Sequence, residues 1–147
     1  MTAQTVIRVK NLLRRELSSL LAYLAGAWPW ASSAERAVAE QMQRLIAGEQ
    51  EAHLKLGAAL RKARVVPPAG RFPMDFTTAH YLGWDYLLPR LIAEQKGLIA
   101  DLEQDAAAAD EADRSLFADF LALKKKHLAE MEGLLAEHAG KLASTTR

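Results

Sequence analysis

Apolar side chains recur at three- and four-residue steps through four long stretches of this chain, and helix-breaking residues fall almost entirely between them. Val9, Leu13, Leu20, Tyr23 and Leu24 mark the first stretch, and Val38, Met42, Leu45, Leu56 and Leu60 the second. Tyr81, Trp84, Leu88, Leu91, Leu98 and Leu102 mark the third, and Leu116, Phe120, Leu123, Met131 and Leu134 the fourth. That spacing is the period of an α-helix with one buried face. Ala and Leu fill 51 of the 147 positions, whereas Val, Ile and Thr fill 15, so residue preference argues for helices and against a sheet.

The breakers set the boundaries. Trp28, Pro29 and Trp30 end the first helix, and Ser32 or Ser33 can cap the second, with Glu35 in its first turn. Val65 to Pro73 is rich in Pro and Gly and reads as the connection between two halves. Asp75 can cap the third helix, and Pro89 should kink it or mark its true start. Ala106 to Asp110 suits a tight reversal, and Gly140 a C-terminal cap before a frayed tail from Ser144 to Arg147. The expected helices cover about 5–27, 33–64, 76–106 and 111–139, with a crossover over about 65–75. Short loops within each pair make those helices antiparallel neighbours. The expectation is one all-α domain, a four-helix bundle of two antiparallel pairs joined by a long crossover.

Composition narrows the possible functions. A net charge of +1 gives no bias toward nucleic acid, and the absence of cysteine excludes disulfides, thiolate metal sites and a cysteine nucleophile. No apolar run reaches the roughly 18 to 20 residues that span a bilayer. Arg14 and Arg15, the apolar run from Leu17 to Trp28 and the small residues Ala31 to Ala34 loosely mimic a secretion signal. Glu16 and the amphipathic pattern favour a helix there, and so a cytoplasmic protein. The chain has no phosphate-binding glycine loop and no Ser-His-Asp arrangement in a supporting motif.

Charged and polar residues interrupt the apolar stripes at one height. Glu16 continues the Leu13–Leu20 face, and Glu49 and His53 continue Leu45–Leu56, with Gln50 beside them. Glu94 continues Leu91–Leu98, and His127 continues Leu123–Met131, with Lys124 between that face and its neighbour. At 1.5 Å per residue each group lies about 18 to 28 Å from its turn, near mid-bundle. Carboxylates and imidazoles buried together need a metal ion or a partner of opposite charge.

These residues resemble the ferritin-like family, which includes bacterioferritins and rubrerythrins. That family places a Glu on each of two helices and a Glu-x-x-His on each of the other two. The resemblance runs over about residues 5–140. It implies the metal ligands Glu16, His53, Glu94 and His127, repeated in the order Glu then His, with Tyr23 near the site. Both Glu-x-x-His motifs are broken, since Gln50 and Lys124 stand where the family has bridging glutamates. Glu49 is the available substitute on the second helix. Glu51 stands where a haem-binding member carries methionine, so no haem is expected.

Two negative charges cannot neutralise a pair of divalent ions, and an added ammonium makes the deficit worse. The expectation is therefore a depleted di-metal site with no cofactor, non-catalytic or structural, in which Lys124 lies buried against Glu16 or Glu94. The alternative cofactor is iron or manganese on the surviving ligands, in an oxidoreductase or iron-handling protein. Another alternative is an interaction or scaffold protein, with Trp28 and Trp30 as candidate contacts. A homodimer through the first helix pair is the expected assembly. His80, at the start of the third helix, reads as structural or exposed, and His138 lies near the end of the last helix, where a cation complements the helix dipole. The acidic residues Asp101, Glu103, Asp105, Asp110, Glu111 and Asp113 read as a solvated tip.

Overall fold

The computed structural model describes the backbone of residues 1–145, and their side chains apart from those of His80 and residues 139–145. Every regular element among these residues is helical. The α-helices are α1 Ala3–Leu17, α2 Leu20–Gly26, α3 Arg36–Lys62, α4 Trp84–Ala108 and α5 Arg114–Thr145. Short 3-10 segments lie at Ser33–Glu35, Met74–Tyr81 and Glu111–Asp113. Among the described residues no helix is long and apolar enough to cross a membrane.

The first expected helix is two helices. Ser18 and Ser19 interrupt it, because serine hydroxyls compete for backbone groups. Ser18 Oγ donates to the carbonyl of Arg14 at 2.7 Å, and Ser19 Oγ accepts from the N–H of Ala22 at 3.1 Å, capping α2. Glu94 supplies the rest of that cap from α4: its carboxylate accepts the N–H of Leu20 at 2.8 Å and of Leu21 at 3.4 Å. These are donors that a helix start leaves without intrahelical partners.

The connection is longer than expected because the third helix starts at Trp84, not near residue 76. Residues Met74–Tyr81 form 3-10 turns instead. Pro89 then sits in the second turn of α4, past its true start. Glu35 ties the two helix starts together: one oxygen accepts the Trp84 N–H at 2.6 Å and the other the Ser32 hydroxyl at 3.1 Å. At the far end of α3, Arg64 takes a left-handed conformation with φ 63°, the place where glycine is favoured. The N–H of Val65 bonds the carbonyl of Leu60 at 2.9 Å and that of Arg64 bonds Arg61 at 2.9 Å, which closes the helix end. Further on, Gly70 lies against the end of α1, where a Cβ would stand 2.1 Å from the carbonyl oxygen of Leu17.

The last helix overruns Gly140, which is helical and not a cap. A lone glycine inside a long helix costs about 1 kcal/mol, too little to end it without a proline behind it. Ser144 and Thr145 continue the helix, and Thr146 and Arg147 lie outside the described residues. His138 is thus well inside α5, and it is buried rather than facing a helix end.

Helix α4 packs most extensively on α5, α1 packs on α3 and α4, and α5 also packs on α3. The core they enclose has two parts. One contains Leu24, Met42, Leu45, Trp84, Leu88, Leu91 and Met131, and the other Val9, Leu12, Leu56, Leu60, Leu102 and Phe117. On each of the four long helices a polar residue separates the two parts: Glu16, Glu49, Gln95 and Lys124 are all buried. Trp28 folds onto Trp84, with ring centroids 5.3 Å apart, whereas Trp30 is 79% exposed.

Candidate functional site

The centre of the polar layer is the ammonium of Lys124. Its stripe on α5 runs Phe117, Phe120, Lys124, His127, Met131 and Leu134, all buried, at steps of three and four. Lys124 is therefore on the core face itself, not beside it, and is 0% exposed. Nζ donates to Glu16 Oε2 at 2.9 Å, Glu49 Oε1 at 3.1 Å and Gln95 Oε1 at 2.8 Å. These acceptors use all of the ammonium's hydrogens. The ring of Phe120 lies below it, its centroid 5.8 Å from Nζ.

Gln95 holds the ammonium from the other side. While its Oε1 accepts from Lys124, its Nε2 donates to Glu49 Oε1 at 3.1 Å and to the Lys124 carbonyl at 3.1 Å. The histidines flank the carboxylates. His53 Nε2 lies 3.3 Å from Glu16 Oε2, and His127 Nδ1 lies 3.5 Å from Glu49 Oε1. Gly48 makes room for His127, since a Cβ there would stand 3.2 Å from its Cε1. Burial works to raise the Glu49 carboxyl, but the His127 ring, the Lys124 ammonium and the Gln95 amide outweigh it and hold the group at about 2.

The expected residues divide accordingly. Glu16, His53, His127 and Lys124 meet at the centre, and Glu49 joins them as the carboxylate of α3. Gln50 does not occupy the place of a bridging glutamate: it is exposed, because the inward position on α3 is Glu49. Glu94 does not reach the cluster through its oxygens, which cap α2. Burial raises its carboxyl above the usual value, against the N–H groups of Leu20 and Leu21. Tyr23 packs against Phe72 and Phe76, with centroids 5.2 and 5.9 Å away, rather than against the cluster. The acidic tip is partly paired, since Arg15 Nη2 bonds Asp105 Oδ2 at 2.8 Å and Lys125 lies 3.4 Å from Glu103.

Gln95 is the residue the sequence reading missed. The stripe Leu88, Ile92, Gln95, Ile99 and Leu102, with steps of four and three, contains it and is buried throughout. Following Leu91 and Leu98 instead pointed one position away, to Glu94.

One side of the cluster borders a cavity. Glu16, Glu49 and His53 line a cavity of about 230 Å³ between α1, α3 and the crossover, with Leu17, Leu21, Ile46, Gly70 and Phe72 as walls. Each of the three residues offers a ligand atom within 4.8 Å of the others, a set that can hold a cation. Glu16 Oε1 and Glu49 Oε2 are buried with no hydrogen-bond partner. Comparison with protein-family models, curated proteins and solved structures finds no match for this chain.

Proposed function

We propose that this chain is a ferritin-like four-helix bundle in which a fixed ammonium stands where that family holds its pair of metal ions, leaving a structural polar core and no di-metal catalysis. The observation that carries this reading is the position of Lys124 Nζ, 2.9 Å from Glu16 and 3.1 Å from Glu49. The packing order supports the bundle: α1 and α5 each contact both α3 and α4, a ring of four neighbours. In this reading α1 and α2 together form the first helix, and residues 63–83 the long crossover between antiparallel pairs.

A pair of divalent ions does not fit the donor set. The ammonium fills the space between the carboxylates, Glu94 is committed to α2, and no bridging carboxylate stands on α5. Uncompensated cations in a buried site are costly, and here Lys124 already supplies the compensating charge. Light scattering checks the expected dimer through the first helix pair.

The test is metal content before and after anaerobic Fe(II) addition, together with the melting temperature of Lys124→Glu. Wild-type protein should hold no stoichiometric iron and consume no oxygen on re-aeration. Lys124→Glu should melt low in chelator and recover on adding Mn(II), because the charge the lysine supplied must then come from an ion. Two irons per wild-type chain, with oxygen consumption, would overturn the reading. A second reading has one iron or manganese ion on Glu16, Glu49 and His53, favoured by their 4.8 Å grouping; one ion per chain is its signature.

A further inference from the structure

Gly57 leaves room on α3 for the guanidinium of Arg61. A Cβ at Gly57 would stand 3.8 Å from Arg61 Nη1 and 3.8 Å from Pro67 Cγ, so the guanidinium lies back over the helix, near the crossover proline. There it borders a groove of about 420 Å³ between α1, α3 and the crossover, walled by Leu13, Leu17, Leu54, Pro67 and Pro68. No carboxylate stands on these walls, and Arg61 is the one side chain on them with a permanent charge.

That charge is unmatched. Arg61 forms no ion pair among the described residues, and the residues three and four positions away, Gly57, Ala58, Arg64 and Val65, include no acid. Past Gln50 and His53 the groove meets the polar centre, whose charges are matched from within: Lys124 bonds Glu16 and Glu49, and His53 and His127 lie beside the same carboxylates. Arg61 is exposed, so a group arriving from solvent reaches it directly. The rest of the groove is apolar. His53 precedes Arg61 by about 12 Å along α3, and Leu54, between them, is 69% exposed. One charged group at the end of an apolar channel of this volume is the usual make-up of a small-molecule site.

We propose that this groove binds a medium-chain alkyl carboxylate, its head paired with Arg61 and its chain lying along Leu54, Leu17 and Leu13 toward His53. A guanidinium holds a carboxylate through two parallel N–H bonds, and an alkyl chain removes the leucine and proline walls from water. The reverse orientation would bring the head toward the carboxylate of Glu16, which repels it. A phosphate monoester carries about 1.5 to 2 negative charges, more than one guanidinium matches. An alkylammonium would meet Arg61 with like charge. Binding here does not depend on whether the Lys124 ammonium or an ion occupies the polar centre.

The experiment is equilibrium dialysis of the full chain against labelled n-octanoate, with n-octanol and n-octylammonium as competitors. One octanoate should bind per chain, and displacing it should take at least tenfold more octanol or octylammonium than unlabelled octanoate. Arg61→Gln should remove that preference with an unchanged melting temperature. Lys62→Gln, an exposed basic position one residue on, should keep it. Leu54→Glu, on the exposed wall, should weaken octanoate at least tenfold without lowering the melting temperature. Displacement by octanol or octylammonium as readily as by octanoate overturns the charge recognition, and an equal loss in Lys62→Gln overturns the assignment to Arg61. No saturable binding, or uptake of many octanoates per chain, overturns the site. The two readings fail separately: two irons per chain sinks the fixed ammonium, whereas absence of octanoate binding sinks only the groove.

Discussion

Glu94 Oε1 accepts the N–H of Leu20 at 2.8 Å, and that bond takes Glu94 out of the polar centre and makes it the anchor of a helix start. A carboxylate at a helix N-terminus also meets the positive end of the dipole. Glu94→Ala should therefore destabilise the protein by about 1–2 kcal/mol in urea denaturation. Glu94→Gln keeps an acceptor oxygen and should lose far less. Amide exchange at Leu20 and Leu21 should rise in the alanine variant alone; equal exchange in both variants would count against the cap.

Lys124→Met removes the ammonium and leaves two carboxylates facing each other in the core. Breaking a buried ion pair in this way costs roughly 3–5 kcal/mol. Adding Glu16→Gln and Glu49→Gln to that variant should restore most of the stability, because no charge is then left unpaired. A urea midpoint that fails to recover in the triple variant would mean that the layer's worth lies in packing rather than charge.

Acid should weaken the fold through Glu49. Its carboxyl lies at about 2 in the folded protein against an ordinary value of 4.5, so the unfolded chain takes up the proton first. The stabilisation is complete above about 4.5 and is lost as the pH falls toward about 2. Its size is on the order of 3 kcal/mol. Glu94 works in the opposite sense: with its carboxyl raised by burial, its contribution is present below the ordinary value and is lost as the pH rises through the folded one. Stability measured against pH should fall less steeply in acid for Glu49→Gln than for the parent protein.

Arg64 holds a left-handed conformation with φ 63°, which costs an L-residue about 1–2 kcal/mol. Arg64→Gly should raise the melting temperature, whereas Arg64→Val should lower it. The variant at Ala63, one residue earlier, should show no gain from glycine.

Gly70→Ala puts a methyl group 2.1 Å from the carbonyl oxygen of Leu17, a backbone atom that cannot step aside. The crossover must then lift from the end of α1 and release the bond from the Arg71 N–H to Ser18 Oγ, now 2.9 Å. The expected result is a loss of about 1–3 kcal/mol and faster proteolysis within residues 65–73. A parent-like cleavage pattern would show that the loop tolerates the methyl group in place.

The helices and the polar centre were legible in the sequence for one reason: burial on a helix leaves a three- and four-residue rhythm. Glu16, His53, His127 and Lys124 could be read from it, and of the two partners expected for Lys124, Glu16 or Glu94, the ammonium bonds Glu16. The choice between Glu94 and Gln95 turns on a rotation of about 100°, and two overlapping apolar stripes on α4 left it open. The Ser18 and Ser19 hydroxyls give the break in the first helix a local part, but the bonds that complete it and fix the start at Trp84 come from distant residues. Glu94 lies 74 positions from Leu20, and Glu35 lies 49 from Trp84. Capping from another helix leaves no local pattern to read.

The layer of Glu16, Glu49, Gln95 and Lys124 between two apolar halves also fixes the axial alignment of the long helices. Greasy surfaces tolerate sliding, since one leucine serves nearly as well as the next. A slip of α5 by one turn, about 5.4 Å, would carry the ammonium off its three acceptors and into the Leu and Phe side chains above or below. The ion pair thereby acts as a detent: it adds little to the depth of the energy minimum compared with the same volume of hydrocarbon, but it leaves only one position at which the helices can stop.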